Sequence, residues 1–145
     1  MRGFRQDTKV EALKQSPLFA GLTRKHLLQI ARLSEDLDVP AGTVLCKEGS
    51  RGREFFVIIE GEACVEREGK QVATVTAGEF FGEIALLEPV MRTATVKATT
   101  PMRFFVITDQ AFHSVLAADP SVERKVLITL ARRLVLISGR DPGLA

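Results

Sequence analysis

Histidine and cysteine are scarce in this sequence, and tryptophan and tyrosine are absent. The 145 residues include two histidines, His26 and His113, and two cysteines, Cys46 and Cys64. A metal site inside a barrel needs two or three histidines with a carboxylate, so the sequence argues against a metal-dependent barrel enzyme. The cysteines lie far apart without a Cys-X-X-Cys spacing. We expect both to be reduced thiols, with a disulfide between them as the less favoured alternative.

Features that would direct the chain to a membrane or to nucleic acid are also missing. No apolar run approaches the roughly 20 residues of a membrane-spanning helix, and the N-terminal segment has no apolar core of a secretion signal. The formal net charge is only +2, from 20 basic and 18 acidic residues, which disfavours nucleic-acid binding driven by bulk charge. No P-loop and no Ser/His/Asp or Cys/His set stands out. We therefore expect a cytoplasmic protein, not an enzyme, that contacts neither a membrane nor nucleic acid directly.

What the sequence does contain is a change of period along the chain. Residues 8–33 have a helical pattern, and residues 109–138 have another. Between them, residues 34–108 consist of short strand-like runs separated by glycines, which is typical of a β-barrel or jelly roll. We expect a single domain over residues 8–138, followed by a polar tail over residues 139–145.

Two positions mark the starts of helices within this pattern. Thr23 is a suitable N-cap for a helix from Arg24 to about Leu33, because its hydroxyl can accept a hydrogen bond from a free backbone N–H group. Asp119 followed by Pro120 is the equivalent signal for the last helix. The N-terminal and C-terminal helical regions are therefore expected to flank the strands.

The stretch 78–98 reads as a turn, a short helix, a loop and a strand. Gly78 and Gly82 allow the backbone to approach another group closely. A short helix beginning at Glu83 would present free backbone N–H groups to a phosphate, and Arg92 can add a planar cation. Glu83 would repel a phosphate but can accept hydrogen bonds from hydroxyls, so the pair suits a sugar phosphate. An ordinary surface ion pair is the alternative.

Two segments of this stretch resemble the phosphate-binding cassette of cyclic nucleotide-binding domains, namely Phe81-Gly82-Glu83-Ile84-Ala85-Leu86-Leu87 and Arg92-Thr93-Ala94. Such domains occur in protein kinase A regulatory subunits, nucleotide-gated channels and the bacterial catabolite activator. The resemblance extends from about Val10 to about Leu136. One departure is Met91, which stands where the family usually has proline, although the length of the loop is kept.

The resemblance implies an α+β, mainly β fold. It consists of an eight-stranded β-roll or jelly-roll barrel with N-terminal helices, a short phosphate-cassette helix and C-terminal helices. The implied function is that of a cAMP sensor module, in which ligand binding repositions the C-terminal helices. Repacking of Leu86 or Leu87 against the helix that carries Phe112 would transmit the change.

The resemblance also implies roles for individual residues. Arg92 would pair with the cyclic phosphate, and Glu83 would accept a hydrogen bond from the ribose 2′-hydroxyl. The backbone N–H groups of Gly82 and Ala85 would complete the phosphate cradle. The full expected ligand-binding set is Val72, Phe81, Gly82, Glu83, Ile84, Ala85, Arg92, Thr93 and Ala94.

The identity of the base is less constrained by these residues. Val72 and Phe81 are expected neighbours of the base, which the last helix would cover. A threonine after the cassette arginine, here Thr93, is common in cGMP-responsive members, whereas bacterial cAMP binders also accept a hydroxyl residue there. We expect cAMP as the ligand, with cGMP as the alternative. The candidate residues for covering the base are Arg133, Leu134 and Ile137.

Alternatives remain for the assembly and for the activity. The last helix has apolar residues at coiled-coil spacing; this surface would form a homodimer, as in the catabolite activator, or pack on its own barrel. The alternative to a separate sensor module is the ligand-binding fragment of a larger catabolite-activator-type transcription regulator. A domain that keeps the fold but binds nothing is a further possibility, against which the presence of both Glu83 and Arg92 argues.

Overall fold

The structure, a computed structural model, describes residues 3–139. This part of the chain contains four α-helices, two 3-10 helices and ten strands. The helices are α1 (Gln6–Leu13), α2 (Arg24–Arg32), α3 (Asp109–Ala118) and α4 (Pro120–Gly139), and the 3-10 helices are Pro17–Phe19 and Glu83–Leu86. The strands are β1 (Glu35–Val39), β2 (Val44–Cys46), β3 (Arg51–Gly52), β4 (Glu54–Glu60), β5 (Glu62–Arg67), β6 (Lys70–Thr76), β7 (Phe80–Phe81), β8 (Val90–Met91), β9 (Thr95–Ala98) and β10 (Met102–Thr108).

The predicted class, mainly β with helices at both ends, is confirmed, but the number of strands differs from the eight expected. Ten strands occur within residues 3–139 because very short pairings form in what reads as loop. Arg51 and Gly52 of β3 pair with Met91 and Val90 of β8, and these two strands form a sheet of their own. Two-residue strands carry no detectable period, so the sequence pattern does not reveal them.

The longer strands form two antiparallel four-stranded sheets, in the orders β1-β10-β4-β7 and β2-β9-β5-β6. The central strands of the first sheet, β4 and β10, are buried on both faces, which explains their continuous apolar runs. Phe55 and Val57 of β4 pack into a core with the helices. Phe56 and Ile58 point the other way, into the core between the two sheets. The first sheet is therefore covered by helices on one face and by the second sheet on the other.

Side-chain caps define where three helices begin. The Thr23 hydroxyl accepts a hydrogen bond from the His26 backbone N–H at 3.2 Å, and the His26 ring completes a capping box. Thr108 caps α3 in the same way. The carboxylate of Asp119 accepts from the Ser121 N–H at 3.1 Å, at the start of α4. The caps predicted at Thr23 and Asp119 are therefore confirmed.

A buried ion pair attaches the N-terminal segment to the first sheet. Lys9 of α1 and Asp36 of β1 approach to 2.7 Å between Nζ and Oδ1, and both side chains are largely shielded from solvent. The Phe4 backbone N–H donates to the other oxygen of Asp36 at 2.8 Å. Separating such a pair would leave an uncompensated buried charge, which is strongly unfavourable. Helix α1 and the residues that precede it are thus held against β1.

The last helix is buried at its start and exposed farther along. Val122 and Val126 are buried in the helical core, whereas Leu127, Leu134 and Val135 are exposed. Among residues 3–139, none of the helices combines the length and the apolar character that crossing a bilayer requires. Those residues also contain no cluster of three or more His, Cys, Asp or Glu side chains arranged to hold a metal ion.

Candidate functional site

A cavity of about 300 Å³ lies between the second sheet and the loop that contains Arg92. Its volume is at the lower end of the range of small-molecule sites, and its wall is mostly apolar with two arginines. Strands β2, β5 and β9 supply one side, and the segment from β7 to β9 supplies the other. The lining residues are Cys46, Val65, Arg67, Phe81, Gly82, Val90, Met91, Arg92, Thr93, Ala94 and Val96.

Arg92 is the buried cation of this cavity. Its side chain is only 8% exposed, and its Nη2 donates a hydrogen bond to the Glu54 carbonyl at 2.7 Å. The Glu54 carboxylate lies 3.9 Å from the same nitrogen, and the guanidinium stands 5.7 Å from the centre of the Phe56 ring. A guanidinium stays charged at all physiological pH values, so a buried one with a distant, half-exposed counter-ion favours an incoming anion.

Glycines on two elements make room for the Arg92 side chain. A Cβ atom placed on Gly52 would overlap the guanidinium and its Cδ, and one placed on Gly82 would overlap Nη1 and the Glu54 carbonyl. Gly82 also has φ +84°, which disfavours any side chain there. The backbone of Arg92 is held as well, since its N–H donates to the Ser50 carbonyl at 2.7 Å. Local backbone geometry therefore determines where the charge lies.

Two stacked aromatic rings and a second arginine lie at the same end of the cavity as Arg92. The rings of Phe56 and Phe81 stack with centroids 4.6 Å apart, and the guanidinium of Arg92 lies over the Phe56 ring. Arg67 donates from Nε to the Thr93 carbonyl at 3.1 Å. Arg67 lies outside residues 78–98, on which the predicted ligand site is based. Period-two alternation from Val65, which faces the cavity, would have placed Arg67 on the same side of β5.

Glu83 occupies the first position of a short helix beside the cavity. The predicted helix is a four-residue 3-10 helix, Glu83–Leu86, and not an α-helix. The Glu83 Oε2 accepts a hydrogen bond from the Ser16 hydroxyl at 2.6 Å, and Glu83 is not among the described residues that line the cavity. The Ala85 N–H, expected to face a phosphate, donates instead to the Gly82 carbonyl at 3.1 Å.

Residues 37–119 match the family model for the cyclic nucleotide-binding domain. This chain belongs to the cyclic nucleotide-binding domain family. The resemblance read from residues 81–94 is thereby confirmed. Domains of this family are regulatory and are not themselves catalytic.

Relatives of this cyclic nucleotide-binding domain are parts of larger proteins. A cAMP-dependent protein kinase regulatory subunit of Schizosaccharomyces pombe is 32% identical over 115 residues, covering 78% of this chain and 28% of that protein. A cyclic nucleotide-gated potassium channel of Rhizobium etli is 33% identical over 117 residues, covering 81% of this chain and 33% of that protein. The chain therefore spans about a third or less of these relatives. The N-terminal domain of a transcriptional regulator from Streptomyces coelicolor A3(2) superposes with a TM-score of 0.81 at 27% identity, over 90% of this chain and 94% of that one.

Not all residues expected to bind the ligand meet at the cavity of this cyclic nucleotide-binding domain. Phe81, Gly82, Arg92, Thr93 and Ala94 line it. The other members of the expected set, apart from Glu83, are not among the described residues of its wall; they are Val72, Ile84 and Ala85.

Local structure explains the positions of these three residues. Val72 is 53% exposed, because it lies in the edge strand β6, where almost every residue is exposed. Ile84 points to solvent on the cassette 3-10 helix, and the Ala85 side chain is buried in the core. Their proposed contacts with a ligand would therefore require a change in this region.

The residues expected to cover the base lie on α4. Leu134 is exposed, and the side chains of Arg133 and Ile137 lie outside the described part of the structure. The predicted tail over residues 139–145 is outside it as well, apart from Gly139 at the end of α4. The covering of the base stays a prediction.

Cys46 brings a thiol to the wall of the cavity. Burial raises the pKa of this thiol, and the nearby Arg92 guanidinium opposes the increase. The neutral thiol is therefore the main form at physiological pH, and it behaves as a small apolar group. Both cysteines are free thiols.

Proposed function

We propose that this domain is a sensor that binds a purine 3′,5′-cyclic mononucleotide, with cAMP as the first candidate, in the cavity beside Arg92. The observation that carries the proposal is the buried guanidinium at the end of an apolar cavity, in a chain of the cyclic nucleotide-binding family. A cyclic nucleotide supplies one anionic phosphodiester for the cation and a flat, largely apolar base for the remaining wall. One of the relatives is named as a cAMP-dependent kinase subunit, which favours cAMP.

In this proposal Arg92 holds the phosphate, and Glu83 accepts a hydrogen bond from the ribose 2′-hydroxyl. The backbone N–H of Gly82 assists at the phosphate, whereas the N–H of Ala85 would first have to leave the Gly82 carbonyl. Occupancy would draw in the cassette 3-10 helix. Leu86 is buried between β4 and α3, so its movement would reach the C-terminal helices.

A second candidate ligand is cGMP. Thr93 and Arg67 lie side by side at the cavity. Guanine presents acceptors at O6 and N7, and an arginine can meet both of them while a hydroxyl contacts a third group. This local arrangement favours guanine, whereas the similarity to a cAMP-dependent protein kinase regulatory subunit favours adenine.

We further propose that residues 8–138 act as a cytoplasmic, non-catalytic module within a larger regulatory protein. The chain covers only about a third or less of the length of these relatives, which supports this proposal. A catabolite-activator-type transcription regulator is one candidate for the larger protein, since a domain of similar fold belongs to a transcriptional regulator. The exposed apolar side chains of α4 support a homodimer through this helix.

Titration calorimetry tests the ligand. The protein is first unfolded and refolded to remove bound nucleotide, and it is then titrated with cAMP and cGMP. Thermal unfolding gives an independent measurement, since a ligand at 100 times its dissociation constant should stabilise the fold by about 2.7 kcal/mol. No binding of either nucleotide at millimolar concentration would contradict the proposal.

The Arg92→Ala variant tests the assignment of the phosphate ligand. A charge-assisted hydrogen bond contributes roughly 1.5–3 kcal/mol, so the variant should bind at least about tenfold more weakly. Arg24→Ala is the control, because Arg24 pairs with Asp7 on the exposed face of α2 and does not line the cavity. Wild-type affinity in Arg92→Ala, with unchanged folding, would show that another group holds the phosphate.

A further inference from the structure

The hydroxyl of Ser16 holds the carboxylate of Glu83 across 67 positions of the sequence. The distance from Ser16 Oγ to Glu83 Oε2 is 2.6 Å, which is typical of a strong hydrogen bond to a charged acceptor. Ser16 is 1% exposed and lies between α1 and the 3-10 helix Pro17–Phe19. The N-terminal segment thereby contacts the residue to which the proposed function assigns the ribose.

The direction of this contact matters for ligand binding. Gly82 and Arg92 line the cavity, but Glu83 is not among the described lining residues. Its carboxylate points to the N-terminal segment, so it would have to turn to meet a ribose whose phosphate is bound by Arg92. A serine hydroxyl and a ribose 2′-hydroxyl are equivalent donors to a carboxylate. A carboxylate can accept several hydrogen bonds, so the two donors exclude each other through the position of the carboxylate: held by Ser16 it lies away from the cavity, and turned to a ribose it leaves Ser16.

We infer that Ser16 competes with the ribose 2′-hydroxyl for Glu83, and that this competition sets the affinity of the site for nucleotides that carry a 2′-hydroxyl. The inference rests on the proposed function. With Ser16 as its donor, Glu83 is turned away from the cavity. Capture of a ribose exchanges one donor for the other and releases Ser16 from the cassette.

The exchange has a consequence beyond the cavity. Once Glu83 leaves, a nearly completely buried hydroxyl has lost its carboxylate partner, and a buried polar group without a partner is unfavourable. The surrounding segment is therefore expected to rearrange. The backbone of Ser16 accepts from the Phe19 N–H, and the Phe19 ring packs on Phe55 and Phe112 at centroid distances of 5.9 and 5.8 Å. Loss of the contact between Ser16 and Glu83 is therefore expected to alter the packing of Phe19 against β4 and α3.

Ser16→Ala separates this competition from a general effect on binding. Calorimetry compares cAMP with 2′-deoxy-cAMP, and cGMP with 2′-deoxy-cGMP. Without the competing donor, affinity for the nucleotides with a 2′-hydroxyl should rise about fivefold to tenfold, whereas affinity for the deoxy forms should not change. Ser34→Ala is the matched control, because its hydroxyl donates to the Ala31 carbonyl at 2.6 Å, outside the cavity wall. It should alter neither affinity.

Two further measurements connect the effect to Glu83. In a protein that already carries Glu83→Gln, adding Ser16→Ala should change the affinities for cAMP and for 2′-deoxy-cAMP equally. A double-mutant cycle measures this. Hydrogen exchange of the Phe19 amide should become faster on addition of cAMP, but not of 2′-deoxy-cAMP. This second measurement uses the wild-type protein and so does not depend on the folding of a variant.

The inference is wrong if Ser16→Ala weakens binding of the 2′-hydroxyl nucleotides selectively, since Ser16 would then position Glu83 for the ribose. If Ser16→Ala changes the affinity for the 2′-hydroxyl and the 2′-deoxy nucleotides by the same factor, or changes neither, competition is also excluded. If the wild-type protein binds neither cyclic nucleotide, the proposed function fails together with this inference. Wild-type binding combined with unchanged selectivity in Ser16→Ala refutes the competition alone.

Discussion

At the scale of single residues, Arg92 combines a buried charge with an incomplete set of partners. The Glu54 carbonyl accepts its hydrogen bond at close range, but the Glu54 carboxylate is 3.9 Å away and nearly half exposed. Such a pair is weak, because water and salt screen it. The carboxylate nevertheless lies where its negative charge opposes the approach of a phosphate.

Glu54→Gln should therefore strengthen binding of a cyclic nucleotide. Removing the competing charge while keeping the backbone carbonyl is expected to raise affinity by about twofold to fivefold, in line with partly exposed ion pairs. The gain should shrink at high ionic strength, which calorimetry at low and high salt would detect. Glu62→Gln, an exposed carboxylate of β5, serves as the control. Weaker binding in Glu54→Gln would mean that the carboxylate helps to position Arg92.

Gly52→Ala should displace the guanidinium. The added methyl group would overlap Arg92 Nε, Cζ and Cδ, so the charge would have to leave its present place. We expect a loss of affinity of roughly tenfold or more, similar to the loss of a charged hydrogen bond.

Gly69→Ala is the appropriate comparison for that variant. Gly69 has φ +79° and no atom near its added Cβ, so alanine there should lower the free energy of unfolding through backbone strain and leave affinity unchanged. Calorimetry and urea unfolding distinguish the two effects. Equal affinities in Gly52→Ala and the wild type would show that Arg92 adapts without loss.

At the scale of elements, the start of α4 is tied to α2 through Asp119. The Ser121 hydroxyl donates to its Oδ1 at 2.5 Å, and the Gln29 amide donates to Oδ2 at 3.3 Å. His26 Nε2 lies 3.7 Å from the same carboxylate. The hydrogen bond from Ser121, as the largest cause, lowers the pKa of Asp119 below its ordinary value of 3.8. The ionised form is therefore the one that the fold favours.

This lowered pKa predicts a pH dependence of stability. A group whose pKa is lower in the folded state stabilises the fold at pH above its unfolded-state pKa, and this contribution is lost as the pH falls through the folded-state pKa. Asp119→Asn should therefore reduce the loss of stability below about pH 4, as measured by urea unfolding at pH 7, 4 and 3. Ser121→Ala should have the same effect in weaker form. Identical pH profiles in all three proteins would contradict the assignment.

The elements differ in how far their sequence predicts them. Long apolar runs identify β4 and β10, since strands buried on both faces need no polar positions. Caps such as Thr23 are recognisable because their effect is local. In contrast, the pairing of Arg51 in β3 with Met91 in β8 joins segments that lie far apart in the sequence, and no local pattern indicates it.

The candidate site shows the same division between local and distant interactions. Gly82, Glu83 and Arg92 are visible as a pattern because their spacing lies within one short segment. The contact between Ser16 and Glu83 joins residues 67 positions apart, and no local signal indicates it. The 3-10 form of the cassette helix is likewise set by tertiary packing, because four residues carry too little propensity to choose between helix types.

At the scale of the whole molecule, the exposed apolar side chains of α4 predict self-association. Light scattering after size-exclusion chromatography should show a dimer whose fraction rises with protein concentration. Leu127→Glu, on the exposed part of the helix, should give a monomer with the same thermal stability per chain. Glu123→Gln on the same helix is the control. If the wild-type protein stays monomeric at high concentration, the predicted self-association is wrong. The apolar surface of α4 would then contact another part of a longer protein.

The uneven burial of α4 has a mechanical consequence. Its first part is anchored by Val122 and Val126, with Leu130 packed beside them, while the remaining nine residues to Gly139 extend about 14 Å at 1.5 Å per residue. A tilt of about 10° at the anchored part would carry the far end through about 2 Å. The helix can thus act as a lever that converts a small rotation at its packed end into a larger displacement at its far end, where a neighbouring protein surface can register it.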